Sequence, residues 1–332
     1  MKAPESDDTQ MKVVMLVIIG VAATVICAMW AVASTDALTL PDALLLGVVE
    51  GITEYLPVSS TGHLTVVQRL LGIGNTEADK AAADAYAICI QAGAILAVLG
   101  LYRERVGSVI LGVVGRDPQG FRLAQVLIAA FTPAAAIAFV FEDAIKDNLF
   151  GIAPVVAAWA VGGVAILVIA PRVWGGARRI EELTIRDGLI IGFAQVLALW
   201  PGTSRSLVTI LAAGALGVKA RDAVELSFIL GLMTLGAATI YEGIGEGTNI
   251  VDTFGIVSPV VGLLAAWVSA IVAVRWMVDY LNRNGMAVFG WYRLGIAAVV
   301  GALLLAGVVS SDVEPAEDES PVITVPTSST VE

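Results

Sequence analysis

EGITEYLPVSSTGHL, running from Glu50 to Leu64, decides how the rest of this chain is read. It holds two glutamates four residues apart, a proline, three consecutive hydroxyl side chains, two glycines and the only histidine of the chain. Apolar segments flank it on both sides. Of the 332 residues 58% are hydrophobic, and the mean hydropathy is +0.86. Soluble domains run at roughly 45–50% apolar. Several runs approach or exceed the roughly 20 apolar residues that cross a bilayer. The chain therefore reads as an all-α polytopic membrane protein. Charge at membrane depth is costly, which makes Glu50 and Glu54 functional candidates.

Pro57 divides this region into two helical halves, Pro41 to Leu56 and Ser59 to Leu71, each too short to span alone. A re-entrant helical hairpin follows, a form tolerated where protein or a wet cavity covers the backbone. A second apolar run, Asp187 to Leu216, breaks in the same way at Pro201-Gly202 and carries PGTSRS, Pro201 to Ser206. With one gap, Gly47 to Thr61 aligns with Gly192 to Arg205, pairing Glu50 with Gln195, Pro57 with Pro201 and Ser60 with Ser204. Both copies hold a G-x-x-x-G, Gly47/Gly51 and Gly188/Gly192, suited to close helix approach. Broken helices in an inverted repeat are typical of transporters, and place a site where the tips meet.

Further spans are expected near 85–102, 121–141, 151–171, 223–242, 254–276 and 292–309, giving six core spans. Basic residues mark four alternate loops: Arg103, Arg105, Arg116 and Arg122 share one; Arg172, Arg178, Arg179 and Arg186 another; Lys219 and Arg221 lie in a third; and Arg275, Arg283 and Arg293 border a fourth. The positive-inside rule makes these loops cytoplasmic. The first hairpin then enters from outside and the second from inside. Residues 1–37 add a polar start and an apolar run, 13–33. That run reads as an uncleaved helix or as a signal peptide ending at Ala31-Val32-Ala33, and its length favours the helix. Residues 38–309 form the membrane-embedded domain, and 310–332 are an acidic tail of disordered composition. The two ends carry much of the net charge of −11, so it does not point to nucleic acid. Cys27 and Cys89 lie in apolar runs and indicate neither a disulfide framework nor a metal cluster.

Glu50 and Glu54 share a helix face and should share a proton or hold a divalent cation. Ser59, Ser60 and Thr61 open the second half-helix, where free N–H groups favour phosphate, although such a run is ordinarily a cap. His63 lies three residues beyond Ser60, the minimal pair for an activated nucleophile. Arg205 sits at the other tip; it suits bidentate phosphate binding, against the alternative of a snorkelling surface arginine.

With these residues the chain resembles the undecaprenyl-diphosphatase family of bacteria, the bacitracin-resistance type, over about residues 38–309. The resemblance implies a membrane phosphatase that converts undecaprenyl diphosphate to the monophosphate, recycling the carrier lipid of peptidoglycan synthesis and conferring bacitracin resistance. It implies Glu50 and Glu54 as the acidic motif and cation ligands (Mg or Ca), Ser60 and His63 as nucleophile and base, and Arg205 as phosphate clamp. Ser59, Thr61, Ser204, Ser206 and Thr209 match the polar motif positions. It further implies the bacterial inner membrane with an outward-facing site, and leaves homo-oligomerisation open. Three features depart from the family: Leu207 in place of glycine, SFILGLM (Ser227 to Met233) without its usual proline, and the added ends. Phosphatidic-acid-type lipid phosphatases need a second histidine beyond the arginine, and this chain has Leu211 there. A carrier-lipid or ion transporter is the competing expectation, because the repeat alone does not require an enzyme.

Overall fold

Two Thr-x-x-Asp tetrapeptides start the two hairpins. Thr39 caps α1 (Leu40–Thr53): its hydroxyl accepts from Asp42 N at 3.3 Å while Asp42 accepts from Thr39 N at 3.2 Å. Thr184 caps α8 (Ile185–Gln195) through the same reciprocal bonds with Asp187, at 3.3 and 2.9 Å. Each such box satisfies donors that a helix start leaves free. Asp187 also accepts from Arg178 Nη2 at 2.8 Å, and that bond holds its carboxyl down at about 2.

The computed structural model describes residues 38–74, 77–149 and 151–309. The expected N-terminal helix and the acidic tail lie outside them. Between α1 and α8 the chain forms α2 (Ser60–Leu70), α3 (Glu77–Leu101), α4 (Arg103–Val113), α5 (Pro118–Val140), α6 (Glu142–Leu149) and α7 (Ile152–Val173). After α8 come α9 (Arg205–Ala215), α10 (Ala220–Phe254), α11 (Val257–Asn284) and α12 (Ala287–Leu305). Among the described residues there are no strands beyond two isolated backbone bridges, Gly175 with Lys219 and Arg178 with Val218.

Among the described residues, six helices are long and apolar enough to cross a membrane: Ala83–Leu101, Pro118–Val140, Ile152–Val173, Ala220–Tyr241, Val257–Asn284 and Ala287–Leu305. The protein is a multi-pass membrane protein. The stretch read as one arginine loop after α3 contains α4, which packs on α5 because Gly112 and Gly120 let the two backbones touch.

The glycine pairs carry out the close approach expected of them. A Cβ at Gly47 or Gly51 would collide with the carbonyls of Gly262 or Ala266 on α11. At Gly188 or Gly192 it would press on those of Val126 or Ala130 on α5. The arginine loops gather at one end of the bundle. Arg105 bonds Glu181 at 3.0 Å and also pairs with Glu225, while Ile180 N donates to Asp222 at 3.0 Å. Trp174 lies beside Gly285, adding the fourth loop. At the start of α11, remote from that end, Ser258 donates to Leu38 O at 3.3 Å.

Arg293, which borders the fourth loop, lies inside α12 and is 0% exposed.

Candidate active site

Both hairpins break just before a serine with left-handed backbone, Ser59 at φ 73° and Ser204 at φ 75°. They are the only non-glycine residues of that kind among the described residues, and such strain clusters at functional sites. Each serine caps the following half-helix: Ser59 Oγ accepts from Gly62 N at 3.4 Å and Ser204 Oγ from Leu207 N at 3.3 Å. The caps therefore pair Ser59 with Ser204 and correct the gapped register, which had set Ser60 against Ser204. Thr39 with Thr184, Gly47 with Gly192 and Ser59 with Ser204 share one offset of 145 positions. On that register Ser60 corresponds to Arg205.

Those two residues meet on one carboxylate. Glu54 accepts the Ser60 hydroxyl on Oε2, and its Oε1 lies 3.1 Å from Arg205 Nη2. Arg205 is held in place by Nη1 donating to Ser227 O at 2.8 Å and by the Tyr55 ring, 5.5 Å from its guanidinium carbon. Gly231 leaves the room: a Cβ there would strike the guanidinium. Glu50, one turn before Glu54, is 1% exposed. Glu50 Oε2, Tyr55 OH and Arg205 Nε are buried with no hydrogen-bond partner in the protein. Buried polar groups ordinarily have partners, so three together mark a place for a polar ligand. A hydroxyl on a carboxylate beside a guanidinium supplies a nucleophile, a base and a stabiliser for anionic charge.

The expected Ser60–His63 pair is not made. His63 Nδ1 donates to Ser59 O at 2.6 Å and Nε2 accepts from Tyr292 OH at 2.7 Å. A carbonyl can only accept, which fixes the proton on Nδ1. The imidazole also stacks on Tyr292 and meets Trp159 edge-on, with centroids 5.7 and 5.0 Å away. It braces the strained turn from behind. His63→Asn, which keeps a donor near the Nδ1 position, should then retain more activity than His63→Ala, whereas a base would be lost equally in both. An unmade buried hydrogen bond costs about 1–3 kcal/mol. Initial rates of phosphate release for the two variants check this.

The other expected phosphate ligands are engaged within the protein, except one. Ser206 donates to Leu56 O at 3.0 Å, and Ser204 reaches the same carbonyl at 3.5 Å, joining the second tip to the first. Thr209 bonds Ser227 Oγ at 2.7 Å. Thr61 alone presents an exposed side chain.

Residues 43–299 match the family model of the bacitracin resistance protein BacA. The chain belongs to the BacA family. It is 44% identical to the undecaprenyl-diphosphatase of Sorangium cellulosum over 264 residues, covering 78% of this chain and 84% of that protein. It is 40% identical to undecaprenyl-diphosphatase 2 of Rhodospirillum rubrum over 282 residues, 83% of this chain and 98% of the relative. Undecaprenyl-diphosphatase 1 of Chromobacterium violaceum is 40% identical over 271 residues, 81% and 97% of the two chains.

Within this BacA-family site, sequence reasoning passed over Tyr55, Ser227 and Tyr292. Tyr55 directly follows Glu54 and could have been found from that neighbour. Tyr292 and Ser227 sit in ordinary spans, and only the fold brings them to His63 and Arg205.

Proposed function

We propose that this protein is an integral membrane phosphatase that hydrolyses undecaprenyl diphosphate to undecaprenyl phosphate and inorganic phosphate. The observation that carries this reading is the contact chain Ser60–Glu54–Arg205, which spans both hairpins. The names of its BacA-family relatives give the substrate. A transporter would need the charges but not a hydroxyl bonded to a carboxylate, so the enzyme is favoured.

Ser60 Oγ attacks the terminal phosphorus while Glu54 takes the hydroxyl proton. The bond from that phosphorus to the bridging oxygen breaks, and undecaprenyl phosphate departs. Water then attacks the phosphoserine, releasing inorganic phosphate and restoring Ser60. Arg205 counters the charge on the transferring oxygens, the principal demand of phosphoryl transfer. Glu50 and Glu54 would hold a divalent cation, Mg or Ca, and the orphaned Glu50 Oε2 fits that role. Among the described residues no third His, Cys, Asp or Glu joins them, so phosphate oxygens and water would complete the shell, as is usual for Mg. When bound, the ion supplies charge neutralisation at the phosphates. The test is phosphate release from a prenyl diphosphate by the purified protein, with acid-stable label trapped on wild type and absent from Ser60→Ala. Binding without phosphate release would favour the transporter.

The hairpins form an inverted repeat in the inner membrane, with the site open to the outer face. The gathered arginine loops and the Leu38–Ser258 contact support that topology, because they put the starts of the two hairpins at opposite ends. Single cysteines at Gly175 and at the exposed Ile256 should label from opposite sides of intact cells, Gly175 only after permeabilisation. Labelling of both from outside would sink the six-span arrangement.

A further inference from the structure

We propose that Arg293 is a positioning residue that holds the two hairpin tips in reacting register. The inference rests on the reading of Ser60 and Arg205 as reacting groups. Arg293 enters from α12 and is wholly buried. Each of its hydrogen bonds goes to a backbone carbonyl. Nη2 donates to Gly202 O at 2.7 Å and to Ala158 O at 2.8 Å, Nη1 to Pro57 O at 3.3 Å, and Nε to Trp159 O at 3.4 Å.

Pro57 and Gly202 are counterparts on the offset of 145 positions that pairs Ser59 with Ser204. Each lies two residues before its strained serine and three before the residue that meets Glu54, Ser60 in one hairpin and Arg205 in the other. One guanidinium therefore bonds equivalent carbonyls of both tips and anchors them to the middle of α7. Tryptophans add to the anchorage: Trp159 Nε1 donates to Val58 O at 2.9 Å, and Trp200 Nε1 to Pro154 O at 3.1 Å. Only a planar fork reaches carbonyls on three segments at once; an ammonium group is a single point. The fork is enclosed as well, because a Cβ at Gly162 of α7 would collide with Nη2. Pinned by these carbonyls, Arg293 cannot step aside without releasing a tip.

Displacing catalytic groups by about 1 Å from a remote position can cost roughly 10²-fold in rate. Arg293→Lys keeps the charge and loses the fork. Gly162→Ala keeps both and only pushes on Nη2, so it carries the test if the lysine variant does not fold. In purified, monodisperse protein each should lose kcat by about 10²-fold with KM changed by less than about threefold, since the contact touches no substrate. In an Arg205→Ala background, the further loss from Arg293→Lys should shrink below about threefold, because there is then no arginine left to position. A role in stability alone would leave kcat near wild type in the folded fraction, or would multiply in full with Arg205→Ala. Either result overturns the proposal. An Arg205→Ala enzyme with wild-type rate would instead remove the site reading, and this inference with it.

Discussion

Replacing Glu54 by glutamine should lower the rate of prenyl diphosphate hydrolysis by roughly 10²–10⁴-fold, the usual worth of a positioned general base. Glu54 is the one group in contact with both reacting residues, the Ser60 hydroxyl and Arg205 Nη2. Glutamine has nearly the same shape: its oxygen can still accept from Arg205 Nη2, and its amide NH2 can donate to the Ser60 oxygen but can take no proton. The hairpins should therefore stay together, and the loss should come from the missing base. Glu50→Gln is the natural companion: Glu50 Oε2 has no hydrogen-bond partner in the protein, so its variant should change the response to added Mg or Ca more than it lowers the saturated rate. The measurement is phosphate release in detergent, with the ion titrated, for wild type and both variants. A folded Glu54→Gln protein with near-wild-type turnover would mean that another group receives the Ser60 proton.

The architecture was legible because lipid imposes simple rules. Long apolar runs gave the six spans, and prolines with adjacent hydroxyls marked the two breaks. The site residues stood out as polar insertions at membrane depth. What could not be read was direction around those breaks. Helical spacing put His63 on the face of Ser60, three residues on. Yet Ser60 opens α2 straight after the left-handed Ser59, and its hydroxyl is bonded to Glu54 across the break instead. The hydroxyls of Ser204 and Ser206 looked free for phosphate; only the packing of the tips gives them Leu56 O as acceptor.

The register in which Ser59 corresponds to Ser204 was within reach of the sequence. The gap was introduced to match Pro57 with Pro201, but proline can occupy different places in a turn. The capping boxes are tied to fixed helical positions, and their offset of 145, shared by Gly47 with Gly192, needs no gap. The span 292–309 puts Arg293 at the edge of the fourth loop, one residue into the helix. α12 starts earlier, at Ala287, so a charge follows nearly two turns of mostly apolar helix. That is the same pattern that made Glu50 conspicuous.

Arg205→Lys should fall by roughly 10²–10³-fold in kcat, the cost of losing a preorganised contact to charge that develops in the transition state. Arg205 reaches Ser227 O with Nη1 and Glu54 with Nη2, and Nε remains unpartnered as a donor toward bound phosphate. A lysine ammonium has its three donors on one nitrogen and cannot spread them as the planar fork does, and Gly231 leaves a gap shaped for the guanidinium. Groups that act as one unit give non-additive losses. The double variant Arg205→Lys with Glu54→Gln should therefore be little slower than the slower single one, because Glu54 and Arg205 contact each other directly. Single-turnover phosphate release for wild type, both singles and the double measures the coupling free of product departure. Full multiplication of the two defects would assign the residues to separate steps. Near-wild-type Arg205→Lys would reduce the clamp to a generic positive charge at the second tip.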